Sequence, residues 1–120
     1  MMGSLLKQKS KITKVSKGEV WLAFDDHSIK KRPFIIMSDK LSGIDVDVTA
    51  TPTTSKKVRN EFDIEIEYWK EAGLNEPSIA RCSKIHVFNY LQLIRKLGKM
   101  HENDMVKINE SIKMFLGLFE

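Results

Sequence analysis

The sequence is poor in the residues that would build a metal centre, a cross-linked scaffold or a membrane anchor. Its single cysteine, Cys82, stands close to Ile79 and Ala80, so neither a disulfide framework nor a cysteine metal site is available. The three histidines, His27, His86 and His101, are scattered and lack the spacing of a zinc site. No apolar run reaches the length of a membrane span, and no hydrophobic block of signal-peptide type follows the first lysines; both predict a cytoplasmic protein with no membrane contact. A glycine-rich phosphate loop and internal repeats are also missing. Acids are absent before Glu19, whereas Lys7, Lys9, Lys11, Lys14 and Lys17 precede it, and these five charges exceed the whole net charge of +4. The basic character of the chain is therefore that of an N-terminal arm, and global charge by itself does not indicate nucleic-acid binding.

What is present is enough for one domain. The 120 residues are 42% hydrophobic and 30% charged, which suits a single globular core. Residues 1–16 are polar and aperiodic and read as a flexible basic arm, with residues 17–120 forming the domain. Val20, Leu22 and Phe24 alternate with Glu19, Trp21 and Ala23, the period of a strand. A polar loop over Asp25–Lys31, a strand over Phe34–Met37, a turn at Ser42-Gly43 and a third strand over Val46–Thr51 follow, the last expected to stop at Pro52. Phe62, Ile64, Ile66 and Tyr68 alternate with Asp63, Glu65 and Glu67, predicting a strand with one buried and one acidic, solvated face. Further strands are expected over Ile79–Val87 and Leu93–Met100, separated by a short turn capped by Asn89. From Asn103 the period becomes helical, with Met105, Ile108, Ile112, Phe115, Leu116 and Phe119 on one stripe that reads as core contact. Several short strands and one amphipathic C-terminal helix predict a mainly β fold, a small and strongly bent antiparallel barrel.

The chain is organised around Lys30-Lys31-Arg32-Pro33-Phe34-Ile35-Ile36-Met37-Ser38, where three consecutive cations run directly into an apolar strand. Pro33 fixes its own φ and drives Arg32 into an extended conformation, so the guanidinium leaves the strand in a set direction. A planar fork held that way suits a phosphate, although a solvated cluster at a strand entrance has the same composition. A second basic cluster, Lys56-Lys57-Val58-Arg59, follows the hydroxyl-rich Thr53-Thr54-Ser55.

Taken in order, these motifs resemble the MazF/PemK-like toxin family of bacterial toxin–antitoxin pairs. The resemblance is carried by Lys17-Gly18-Glu19-Val20-Trp21-Leu22, by Lys31-Arg32-Pro33-Phe34-Ile35-Ile36-Met37-Ser38, by Pro52-Thr53-Thr54-Ser55 and by Pro77-Ser78-Ile79-Ala80-Arg81-Cys82-Ser83-Lys84-Ile85. Lys96-Leu97-Gly98-Lys99-Met100 and the helix ending at Leu118 complete it. It implies an SH3-like barrel with a C-terminal helix, a homodimer, a cognate antitoxin as partner, and cleavage of single-stranded RNA without a metal or other cofactor. The implied chemistry is attack of a 2′-hydroxyl on the adjacent phosphorus, which needs a base, charge stabilisation and a proton for the leaving 5′-oxygen.

Carried over residue by residue, the resemblance makes Arg32 a phosphate clamp, Thr54 a hydrogen-bonding partner of the scissile phosphate or 2′-oxygen, and Arg81 a charge stabiliser. Lys31, Ser55, Lys56, Ser83 and Lys84 become candidates for substrate binding. The chain departs from the family at several points. Ser83 stands where the PemK branch has an aspartate after Arg-Cys, so the base is unassigned, and His86 and His27 are its candidates. Lys84 and His86 replace a Gln and an Arg, which implies an altered RNA preference, and the loop before Arg32 lacks the family's Glu-Gln-x-Gly run. These departures leave open a catalytically silent member of the fold that binds RNA or protein.

Overall fold

A computed structural model describes residues 15–38 and 47–118. The seven strands are β1 (Glu19–Asp25), β2 (Lys30–Ile36), β3 (Val48–Thr54), β4 (Asp63–Glu65), β5 (Ile79–Arg81), β6 (His86–Phe88) and β7 (Leu93–Lys99). A 3-10 turn, Tyr90–Gln92, precedes β7, and one helix, α1 (Glu102–Leu116), follows it. All the pairings are antiparallel, in the order β4-β5-β3-β2-β1-β7, with β6 pairing β3 beyond the reach of β5. Register shifts between β1 and β7 at Val20/Trp21 and Leu22/Ala23 bend the sheet as bulges do. This is the mainly β architecture with a C-terminal helix that the strand pattern predicts.

The sheet is buried on both sides. In β2, Phe34 and Ile36 join a core with Val15, Trp21, Ala23, Val48, Ala50, Phe88 and Leu93. Ile35, pointing the other way, joins Val20, Ile66, Ala72, Leu74, Ala80, Cys82, Met100 and Ile108. Two-sided burial explains why Phe34-Ile35-Ile36 is an uninterrupted apolar run, and why in β1 Val20, Trp21 and Ala23 are buried while Phe24 is exposed. Val15, expected in the arm, is fully buried in the first core; the rest of the arm's lysines up to Lys14, the Ser42-Gly43 turn and Phe119 lie outside the described residues. Glu19 ties the start of the domain together, accepting from the Ser16 amide and Trp21 Nε1 at 3.0 Å each and pairing with Lys96 Nζ at 3.1 Å.

Several elements differ from the sequence pattern, beginning with β2, which starts at Lys30 inside the stretch expected as polar loop and ends at Ile36. Pro52 does not end its strand: β3 continues to Thr54, and Pro52 falls between the stretch paired with β6 (Val48–Ala50) and that paired with β5 (Thr53–Thr54), opposite Phe34 on its other side. A residue without an amide hydrogen is tolerated where one ladder gives way to the next. The expected strand over Ile79–Val87 is two short strands, interrupted by a turn that the Lys84 amide closes on the Arg81 carbonyl at 3.0 Å. The expected strand over Phe62–Tyr68 is reduced to Asp63–Glu65, and its acidic face is divided, with Asp63 buried and Glu65 and Glu67 exposed.

Helix α1 starts one residue earlier than the pattern suggests. His101 is the N-cap, its Nδ1 accepting from the Asn103 amide at 3.0 Å, and Gly117 closes the other end at φ 70°. Ile108 is its apolar anchor, flanked by the half-buried Met105 and Ile112. Asp104 is buried too and accepts from the Glu67 and Tyr68 amides at 3.1 and 2.9 Å, pinning the helix to the chain after β4. Phe115 and Leu116, expected in the core, are exposed, and Phe115 packs edge-to-face with Phe62 at 5.3 Å.

Candidate active site

The interruption between β5 and β6 builds the site. It leaves an open cleft of about 590 Å³ beside Pro52, with Arg81 at the end of one strand, His86 at the start of the next, and Ser83 and Lys84 on the turn between them. The β1–β2 hairpin supplies the facing wall through Asp25, His27 and Arg32. Two arginines and two histidines from four separate segments therefore share one cleft.

Asp25, which the sequence reading passed over, organises that wall. Its side chain is 8% exposed. One oxygen, Oδ1, accepts from the His27 amide at 3.0 Å and lies 3.6 Å from His86 Nε2. The other, Oδ2, accepts from the Ser28 hydroxyl at 2.9 Å and lies 3.5 Å from Arg32 Nε. Arg32 Nε donates to Ser28 Oγ at 3.2 Å, so a hydrogen-bonded chain runs from guanidinium through hydroxyl to carboxylate. Burial works to raise the pKa of Asp25, but the Ser28 hydroxyl, the His27 amide, the nearby His86 and the Ser28 amide outweigh it, and the carboxyl is held below its ordinary range. The hairpin turn that brings Ser28 and Arg32 into place has Ile29 at φ 55°, an unusual conformation for a β-branched residue.

His86 is fixed from both sides. Its Nδ1 lies 2.7 Å from the Lys84 carbonyl, which can only accept, so Nδ1 carries a hydrogen and Nε2 is the nitrogen left for proton exchange. Its ring packs edge-on against Phe34 at 5.0 Å and against His27 at 5.6 Å. Arg81 is 14% exposed, with Nε 3.7 Å from Asp63 Oδ1, and its carbonyl accepts from the Thr51 hydroxyl at 2.7 Å. Next to it, Cys82 is buried and its thiol is pushed up to about 11, chiefly by burial, with the Ser111 hydroxyl opposing and the Asp63 charge adding. It stays a neutral thiol at physiological pH.

Thr54, Ser55 and Lys56 lie in an adjoining groove of about 350 Å³, which shares Arg32 with the cleft and also takes in Lys30. Thr54 Oγ1 accepts from the Lys56 amide at 3.2 Å, which leaves its own hydrogen to donate. Thr53, by contrast, spends its hydroxyl on the Pro33 carbonyl at 3.1 Å. Lys31 is on the opposite face of β2 from Arg32, paired with Phe24, so Lys30 is the lysine that shares the groove. Among the described residues no three His, Cys, Asp or Glu side chains converge as metal ligands, and no helix is long and apolar enough to cross a membrane.

Comparison with known proteins agrees with this architecture. A family model described as PemK-like, MazF-like toxin of type II toxin–antitoxin system matches residues 16–116. A probable endoribonuclease MazF of Mycolicibacterium smegmatis is 30% identical over 90 residues, covering 74% of this chain and 83% of that protein. The fold superposes on the Mycobacterium tuberculosis toxin MazF-mt6 with a TM-score of 0.72 at 21% identity, covering 85% of this chain and 99% of that one. A mycobacterial endoribonuclease solved with its cognate antitoxin gives 0.71 at 19% identity, covering 88% and 98%. By the extent of the family match and the identity to a curated relative, the chain belongs to the PemK-like, MazF-like toxins of type II toxin–antitoxin systems.

Proposed function

We propose that this protein is an endoribonuclease toxin that cleaves single-stranded RNA in a sequence-selective manner, without a metal, and is held in check by a cognate antitoxin. The observation that carries the reading is the convergence of Arg32, Arg81 and His86 on one cleft, with the buried Asp25 touching two of them. Arg32, 34% exposed and oriented by Ser28 and Asp25, offers its outer guanidinium edge to the scissile phosphate. Arg81 supplies the second positive charge as the phosphorane-like transition state develops; an arginine is too weak an acid to serve as proton donor. His86 Nε2 takes the 2′-hydroxyl proton, and the Asp25 carboxylate stabilises the imidazolium that results; the O2′–P bond forms as the P–O5′ bond breaks, and the leaving 5′-oxygen takes its proton from water in the open cleft. Ser83, which cannot act as base at neutral pH, lines the floor with Lys84, and the Lys30, Thr54 and Lys56 groove receives the neighbouring nucleotide. The family match and the relatives named as endoribonucleases support the class of activity.

The test is incubation of the purified protein with mixed-sequence single-stranded RNA in EDTA, followed by mapping of the ends. Discrete cuts leaving 2′,3′-cyclic phosphates are expected. Intact RNA over a wide range of protein concentration would favour a silent RNA- or protein-binding module instead.

A further inference from the structure

Asp63 is the most deeply buried carboxylate beside the cleft, with its side chain 1% exposed. It stands directly opposite Arg81 in the β4–β5 pair. Its Oδ2 accepts from the Arg59 amide at 2.8 Å, and its own amide donates to the Asn60 carbonyl at 3.2 Å, so the carboxylate is fixed by the turn that leads into β4. The remaining oxygen, Oδ1, faces Arg81 Nε at 3.7 Å, and both atoms are buried without a hydrogen-bond partner among the described residues. Each is thus the other's only charged complement there, within ion-pair contact but about 0.5 Å outside the N–H···O range.

We propose, resting on the nuclease reading above, that Asp63 is the positioning residue for Arg81, holding the guanidinium by its Nε so that the opposite edge of the planar fork is presented to substrate phosphate in the cleft. The geometry of the group makes this specific. A guanidinium anchored at Nε can turn only about that contact, and Arg81 already lines the cleft. Without the carboxylate, the buried guanidinium loses its counter-charge and would swing toward solvent. A surface role for Asp63 with Glu65 and Glu67, as the alternation suggests, is incompatible with its burial.

The test is a double-mutant cycle on the full chain with Asp63→Asn and Arg81→Ala, read as kcat and KM for RNA cleavage, together with the NMR signal of the Arg81 Nε–Hε pair. Asparagine keeps the size and an oxygen for the Arg59 amide. The expected result is a loss in kcat of up to about 100-fold from displaced alignment, with KM little changed. In the Arg81→Ala background the same substitution should cost nothing further. Wild-type kcat in Asp63→Asn, or losses that multiply in the double variant, would overturn the assignment. The Nε–Hε signal separates this from the nuclease reading: if wild-type protein cuts no RNA, a resonance shielded from exchange that moves in Asp63→Asn still supports the anchor. One that exchanges like the other arginines overturns it, and that wild-type comparison decides the matter should Asp63→Asn fail to fold.

Discussion

His86 Nε2 lies 3.6 Å from Asp25 Oδ1, while its other nitrogen is committed to the Lys84 carbonyl at 2.7 Å. The imidazole therefore has one face for proton exchange, and a carboxylate waiting to compensate the charge that exchange creates. Because the same carboxylate holds Arg32 through Ser28, His86 and Arg32 share one anchor.

Asp25→Asn should lower both activity and stability at neutral pH, and flatten the loss of stability in acid. The folded-state pKa of Asp25 is depressed, so its stabilising contribution is fully present above the unfolded value near about 4 and is lost as pH falls through the lower folded value. Melting temperature followed from pH 7 to pH 3 should fall less steeply in Asp25→Asn than in wild type, and cleavage at neutral pH should drop. Identical acid limbs in the two proteins would refute the depressed pKa.

His86→Gln keeps a hydrogen-bonding side chain but removes the imidazole proposed as base. Cleavage should fall by about 100-fold to 10,000-fold. A variant that cuts RNA at the wild-type rate would shift the role of base to His27 or to a group outside this cleft.

The motifs that could be read in the sequence are those whose chemistry lies in a few consecutive residues. Lys-Arg-Pro at the head of β2 and Ser-Ile-Ala-Arg-Cys through β5 mark Arg32 and Arg81, although the pattern runs Arg81 into one strand over Ile79–Val87 where the structure ends β5 at that residue. His86 stands out for its ionisation range and for replacing a family arginine. Asp25 carries no sequence signal because its importance comes from the hairpin, which folds Ser28 and Arg32 back onto it. The alternation of Asp63 with Glu65 and Glu67 is the pattern of a solvated face, whereas the strand ends at Glu65 and Asp63 is buried against an arginine. Lys30 and Lys31 are indistinguishable until the register of β2 fixes which one shares a face with Arg32. The turn that opens the cleft between β5 and β6 was hidden in an apolar stretch that reads as one strand.

Asp104→Asn tests how the helix is attached. The wild-type carboxylate accepts two backbone amides from the chain after β4, and an asparagine offers one accepting oxygen and turns its amide NH2, itself a donor, toward the other N–H. Denaturant titration should show a loss of about 1.5–3 kcal/mol, the range for hydrogen bonds to a charged acceptor. A change within experimental error would mean that Ile108 packing alone carries the attachment.

Gly98→Ala tests a close backbone approach. A Cβ at Gly98 would run into the Ala72 carbonyl, and one at Gly73 into the Leu97 carbonyl, so the turn before β5 and strand β7 meet glycine to glycine. Because the obstruction is backbone, the loss should be about 1–3 kcal/mol or more, visible as a lowered denaturation midpoint. A fully stable Gly98→Ala protein would show that the two segments can separate freely.

The most direct test of the account compares RNA cleavage by wild type and Arg32→Ala, with the thermal unfolding of both measured alongside. Arg32 is half-buried at the wall common to the cleft and the groove, so its removal should abolish cleavage while the melting curve changes little. An Arg32→Ala protein that cuts the same RNA at the wild-type rate would place the chemistry elsewhere on the molecule.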